Sequence, residues 1–311
     1  MVLIYLAVIV VLIASYIYLW FHKKFSFFAE NGFVHEKPHI PMGNLGGVGK
    51  KFHLCLKISE LYEKFRGQAP AFGVYFFGSA DVVITDLDVI KDVLIRDFDA
   101  FHNRGFFYTR DDPLTCHLFN IEDEAWRKMR AKMSPTFTSG KMKMMFNIVL
   151  GISEMMANHL QTLPNLDMID MKDVMANFTT DVIGNCAFGL DINSTVNPNS
   201  EFRKMGRKIF TQGTNLQIKI LLLTSFKELA RKFGIKFFPK EISDFYINTV
   251  KETVDYRLTN KIERHDFMDL LLKIKNTTGE DGEEGLTLNE LAAQCFVFFI
   301  AGKFLGWAAI G

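Results

Sequence analysis

Trp126 and Arg130 stand four residues apart in the stretch Glu124 to Lys143. On a helix that spacing projects both from one face, one turn above the other. An indole beside a guanidinium makes a wall that is apolar yet grips an anion. The planar fork of Arg suits a carboxylate because it donates two parallel hydrogen bonds. Pro135 ends this helix, since proline disfavours the α region in the residue before it. The same spacing also fits an amphipathic helix with a core Trp and a solvated Arg, and a pair this short does not choose between the two.

Other routes to chemistry find little support. The four cysteines, Cys55, Cys116, Cys186 and Cys295, are scattered without C-x-x-C spacing. They read as buried or free thiols in a reducing compartment. His35 and His39 are four apart, but Pro38 between them and Pro41 beyond deny them a shared helix. His35-Glu36-Lys37-Pro38-His39 has the letters of an H-E-x-x-H pair but not the helix that motif needs, and neither a phosphate-binding G-x-x-x-x-G-K-[ST] loop nor a G-x-S-x-G elbow occurs. Lys and Arg total 36 against 35 Asp and Glu, so charge gives no case for nucleic acid.

The elements that must position Trp126 and Arg130 begin behind an apolar leader. Residues 1–21 carry no charge and, as a helix, span about 30 Å, the thickness of a bilayer core. The flank Trp20-Phe21-His22-Lys23-Lys24 adds aromatic and positive residues, which favours an uncleaved signal anchor with its C-terminal side in the cytoplasm. Residues 22–49, rich in Pro and Gly, read as a linker. Phe52 to Phe65 reads as a helix, and residues 71–77 and 81–85 as strands around a Gly78-Ser79 turn. Asp86 caps a helix from Leu87 to Ile95. Met142, Met145, Phe146, Val149, Ile152 and Met156 form a helical stripe expected in the core. Lys219 to Phe238 reads as one basic amphipathic helix with Leu222, Phe226, Leu229 and Phe233 on a stripe, suited to helix packing or to a membrane interface. Asp266 to Lys275 reads as helix, residues 276–285 as a polar loop, and Thr287 with Glu290 as a capping box for a helix over Leu288 to Gly302.

Trp126-Arg-x-x-Arg130, followed by Ser134-Pro-Thr-Phe-Thr-Ser-Gly-Lys-Met-Lys143, resembles the C-helix region of microsomal cytochrome P-450 monooxygenases of the insect detoxification type. Asp97-Phe-x-x-Phe101-x-x-Arg104-Gly105 and Phe178 to Gly189 are also similar to that family, and Cys295 to Gly302 resembles the start of its central I-helix. The resemblance implies a mainly α fold with a small β-sheet, an incomplete cytochrome P-450 fold behind an N-terminal transmembrane helix. It implies heme b as cofactor, with Trp126 and Arg130 on a heme propionate and Ala301 and Gly302 beside the oxygen pocket. Residues 106–119 would line the substrate cavity, with Phe106, Phe107 and Phe119 from that loop and Phe298 from the I-helix. Further expectations are an NADPH-dependent reductase partner, near Arg127, Lys128 and Lys132, a lipophilic substrate, contact with membrane lipid, and residence at the endoplasmic reticulum membrane.

The likeness runs from the N-terminus to about Gly302, so that residues 50–302 would be the N-terminal part of the heme domain, and stops there. The family's acid–Thr pair is absent after Gly302, where Lys303-Phe-Leu-Gly-Trp-Ala-Ala-Ile-Gly311 follows. The loop that carries the cysteine ligand of the iron is also absent, and Cys186, in mid-helix, lacks that setting. Residues 303–311 are therefore expected to be an aberrant tail, from a translated intron or a frameshift. Phe296, Phe298, Phe299 and Ile300 are expected to lack a covering layer, leaving a product that is unstable, heme-free and inactive. The alternative is a non-catalytic, membrane-anchored binding or regulatory protein.

Overall fold

A computed structural model describes residues 1–49, 51–163, 169–210, 213–276 and 285–308. Two compact units emerge, Met1–His102 with Gln217–Phe226, and Asn103–Leu216 with Lys227–Gly311. The polar loop expected over 276–285 falls almost wholly outside the described residues.

The first unit opens with α1 (Val2–Phe25). It is long and apolar enough to cross a membrane by length and composition, and its apolar window is unburied. The helix runs past Phe21 because His22, Lys23 and Lys24 are good company for a helix C-terminus, where carbonyl dipoles attract cations. After α2 (Phe27–Glu30), the Pro/Gly segment is tied to the sheet by backbone hydrogen bonds. Asn44 and Tyr75 bond reciprocally: Asn44 N–H donates to Tyr75 O at 2.7 Å, and Tyr75 N–H donates to Asn44 Oδ1 at 2.7 Å. Gly73 N–H also donates to Val34 O at 2.7 Å. These bonds satisfy the outer edge of a two-stranded antiparallel sheet, β1 (Ala71–Phe76) with β2 (Ser79–Ile84), in which Phe76 faces Ser79 and Ala71 faces Ile84. α3 (Leu54–Phe65) supplies Leu61 and Phe65 to a small core with Phe72 and Val74. Asp86 caps α4 (Leu87–Lys91), accepting from the N–H groups of Asp88 and Val89. A π-helical turn over Asp92–Arg96 and α5 (Phe98–Phe101) complete the unit.

The second unit is helical: α6 (Asp123–Met133), α7 (Ser139–Thr162), α8 (Met171–Phe188), α9 (Glu201–Phe210), α11 (Lys227–Lys232), α12 (Lys240–Asn260), α13 (Phe267–Lys275) and α14 (Leu288–Ala308). α10 (Gly213–Ser225) passes from this unit into the first. α6 stops at Met133 and gives way to a 3-10 turn holding Pro135, as the proline requires. α14 starts at the expected capping box: Glu290 N–H donates to Thr287 Oγ1 at 3.2 Å, and Thr287 N–H donates back to Glu290 Oε2 at 2.8 Å. The core gathers Phe188 of α8, Phe202 of α9, Tyr246 of α12, Leu271 of α13, and Phe296 and Phe299 of α14.

Four expectations need correction. Phe296 and Phe299 are fully buried, and Phe298 and Ile300 half-buried, because the aromatic rings of α8, α9, α12 and α13 already cover them. On α7 only Met145 and Ile152 of the six-residue stripe are buried, while Met142 and Phe146 are exposed. The basic amphipathic helix is two helices, broken at Phe226, and the chain turns again at Gly234. α14 continues as helix through Ala308, six residues beyond Gly302.

Candidate functional site

α6 is pinned at its first turn. Asn103 Nδ2–H donates to Asp123 Oδ1 at 2.7 Å, and Asp123 N–H donates to Asn103 Oδ1 at 2.9 Å. Trp126, Met129 and Met133, spaced i, i+3 and i+7, turn inward to the core, which fixes the rotation of the helix. Arg130 then falls on the rim. Its side chain is exposed and makes no hydrogen bond or ion pair among the described residues. The pair is thus a buried indole with a solvated guanidinium one turn on, a donor free to take a carboxylate without first breaking an ion pair. Arg127 and Lys128 are exposed, and Lys132 is half-buried.

On α14, Ala301 is exposed and Gly302 half-buried. Gly302 lies hard against α8: a Cβ there would sit 2.6 Å from Ile183 Cδ1. The missing side chain therefore serves helix–helix approach at this point.

The expected cavity phenylalanines divide. Phe106 and Phe119 come together with ring centroids 5.1 Å apart, and the Arg104 guanidinium lies 5.0 Å from the Phe119 centroid. Phe107 is buried. Phe298 packs instead on Phe267 at 4.4 Å and Phe137 at 5.7 Å.

Three buried polar side chains around this loop escaped the sequence reading. Asp112 accepts from the backbone N–H groups of Phe237 and Phe238 at 2.8 and 2.9 Å, with Ser243 Oγ at 3.4 Å. Burial raises its carboxyl pKa against the opposing pull of those donors. Gln294, fully buried on α14, accepts from Leu118 N–H at 3.1 Å and so ties the loop to the helix. His117 is buried, and burial lowers its pKa to about 4. His117 Nδ1 and Gln294 Nε2 have no hydrogen-bond partner among the described residues. A lone Gln inside the apolar run of α14 was the available signal; a His between Cys116 and Leu118 gave none.

The donor set fits a heme at one end. A free guanidinium beside an indole matches a propionate. An iron–thiolate bond asks for a cysteine whose thiolate is stabilised by positive charge or amide donors. Burial pushes the Cys186 thiol up to about 11, and burial also raises Cys295 and Cys116. Cys116 Sγ–H donates to Thr109 O at 3.2 Å, and Cys55 is an exposed residue of α3. Burial thus disfavours the thiolate at Cys116, Cys186 and Cys295. Among the described residues no group of three or more His, Cys, Asp or Glu could hold a metal ion.

A family model described as cytochrome P-450 matches residues 35–303. Cytochrome P-450 6A1 of Musca domestica is 42% identical over 293 residues, covering 93% of this chain and 57% of that protein. The probable cytochrome P-450 6a14 of Drosophila melanogaster is 42% identical over 294 residues, covering 90% of this chain and 58% of the relative. The probable cytochrome P-450 6a20 of the same fly is 40% identical over 306 residues, with 96% and 61% covered. This mainly helical chain, with its two-stranded sheet and apolar N-terminal helix, belongs to the cytochrome P-450 family. It spans about three fifths of the length of these relatives.

Proposed function

We propose that the chain contributes the propionate-holding part of a heme-thiolate monooxygenase acting on lipophilic substrates, xenobiotics or endogenous lipids. The observation that carries this reading is the disposition on α6: Trp126 locked in the core and the Arg130 guanidinium exposed one turn on. When bound, heme b supplies the oxygen chemistry, drawing electrons from an NADPH-dependent reductase. Arg130 then neutralises and orients a propionate, and Trp126 offers its indole N–H from a rigid wall. Phe106, Phe107, Phe119 and Phe298 are the proposed substrate contacts, with Ala301 and Gly302 bordering the oxygen pocket. The proposed location is the endoplasmic reticulum membrane, with α1 as anchor and the helical body on the cytoplasmic face.

These 311 residues alone do not catalyse in this reading, because burial disfavours the thiolate at Cys116, Cys186 and Cys295 and the loop that carries the family's cysteine ligand is not among them. Hemin titration of the purified chain in detergent tests both halves. Saturable heme binding is expected, without a thiolate signature in the reduced carbon monoxide spectrum. Arg130→Leu is expected to weaken it about tenfold, the size of one lost charged hydrogen bond. A stoichiometric thiolate spectrum overturns the inactivity, and unchanged affinity in Arg130→Leu overturns the propionate role.

A second reading, a non-catalytic membrane-anchored binding or regulatory protein, draws support from the closed core around Phe296 and Phe299. A folded monomer in detergent that takes up no heme favours it.

A further inference from the structure

The hairpin of the first unit is closed on one side and open on the other. Gly73 and Tyr75 turn their backbone groups away from β2: Gly73 N–H donates to Val34 O and Tyr75 N–H to Asn44 Oδ1, both at 2.7 Å. Across the ladder Gly73 faces Val82, and Tyr75 faces Ala80. Facing residues of an antiparallel pair that exchange no hydrogen bonds both point outward. Ala80, Val82 and, by the same alternation, Ile84 therefore aim N–H and C=O away from β1. Among the described residues no strand or bridge pairs with that edge of β2. Ala80 and Val82 are exposed and Ile84 half-buried. β2 carries neither the Lys nor the Pro that commonly blocks the addition of a strand.

We propose that β2 pairs with β2 of a second copy of this chain, antiparallel about Val82, so that the two hairpins form one continuous sheet. A second copy is the occupant selected, because the edge is complementary to itself. With the two-fold axis at Val82, Val82 opposes Val82 of the second copy, and Ala80 opposes its Ile84. Every outward-pointing residue then meets another, and each such pair exchanges both of its hydrogen bonds. The facing side chains are small or β-branched and apolar, which suits a pleated surface. Asp81 opposes Val83 of the second copy and meets no like charge. A parallel, in-register pairing would set Asp81 beside Asp81 and is disfavoured for that reason. Because the same patch serves both copies, the contact closes at a dimer.

The proposal rests on the hairpin and not on heme chemistry. The test uses the full chain in detergent. Val82→Cys places two thiols on the axis with Cα atoms about 5.5 Å apart, within disulfide reach. Ala80→Cys places them about 14 Å apart, beyond it. In air with copper phenanthroline, Val82→Cys is expected to link two chains about tenfold faster than Ala80→Cys. A mixture of Ala80→Cys and Ile84→Cys is expected to link, where neither does so alone. Peptide mapping of the linked pair keeps the native thiols apart, exposed Cys55 included. Sedimentation equilibrium reads the strength of the unlinked dimer. Val82→Pro removes one outward N–H from each copy and no bond to β1, and is expected to weaken the dimer about tenfold. Val82→Lys sets like charges on the axis and is expected to act in the same direction. A monomer at every concentration overturns the proposal, as does equal linking at 80 and 82. A dimer that survives both Val82→Pro and Val82→Lys unweakened overturns it too.

Discussion

Asp112 and Phe238 lie 126 residues apart and share a buried hydrogen bond of 2.9 Å, from the Phe238 N–H to Asp112 Oδ2. The same oxygen accepts from Phe237 at 2.8 Å, so one carboxylate satisfies two N–H groups just ahead of α12. Such donors cannot be served by the helix that follows them. Asp112→Ala leaves them buried with no acceptor and is expected to cost about 2–4 kcal/mol. Asp112→Asn keeps one acceptor oxygen in place and is expected to cost about 1 kcal/mol. Urea unfolding in detergent, followed by far-UV circular dichroism, separates the two; equal losses would show that the charge and not the acceptor matters.

His117 gives the second unit a pH limit. Its pKa, lowered by burial to about 4 from an ordinary 6.5, means that the folded state binds fewer protons than the unfolded one between those values. Stability is therefore full above about pH 6.5, falls as the pH drops through the window, and reaches its full loss near 4. The shift corresponds to about 3 kcal/mol for a group this buried. His117→Phe, which cannot take up the proton, is expected to flatten the profile between pH 6.5 and 4. An unchanged slope would place the acid sensitivity elsewhere.

Arg257 holds the junction of α12 and α13. Its guanidinium donates to Asp266 Oδ1 at 2.8 Å and also bonds Asp269, and all three side chains are buried. Gly189, the left-handed cap of α8 at φ +68°, gives the guanidinium its space, for a Cβ there would collide with Nη2. Arg257→Met strands two buried carboxylates and is expected to cost about 3–5 kcal/mol. Gly189→Ala is expected to destabilise as well, from both the positive φ and the collision. Thermal unfolding of the two variants checks this, and a melting point unmoved in Arg257→Met would mean that the aspartates find other partners or protonate.

Local rules made much of this architecture legible. Proline after Met133, the Thr287–Glu290 box and the Asp86 cap each act within a few residues, and each stands where the residues imply, whereas the hairpin turn falls at Phe77-Gly78, one residue before the expected Gly78-Ser79. Trp126 and Arg130 stand one turn apart on α6, as their spacing implies, but that spacing did not say that the indole would be buried and the guanidinium exposed. What was hidden depends on residues distant in sequence. Asp112 reads as a surface turn residue until α12 is brought to it, and Gln294 gains its meaning only from Leu118, 176 residues away. The break at Phe226 was hidden too, because the periodicity of residues 219–238 continues across it.

Helical periodicity also says which side chains share a face, and not what covers that face. On α7, Phe146 is 60% exposed while Ile152, on the same expected stripe, is 5% exposed. Burial and not apolar character sets the cost of losing a side chain. Phe146→Gln is therefore expected to change stability by less than about 0.5 kcal/mol. Ile152→Ala is expected to cost about 2–4 kcal/mol, from lost transfer energy and the cavity left behind. The comparison discriminates because both are apolar residues of one helix, one exposed and the other buried. Should Phe146→Gln destabilise as much as Ile152→Ala, the outer face of α7 is covered in solution, and by something other than the described residues.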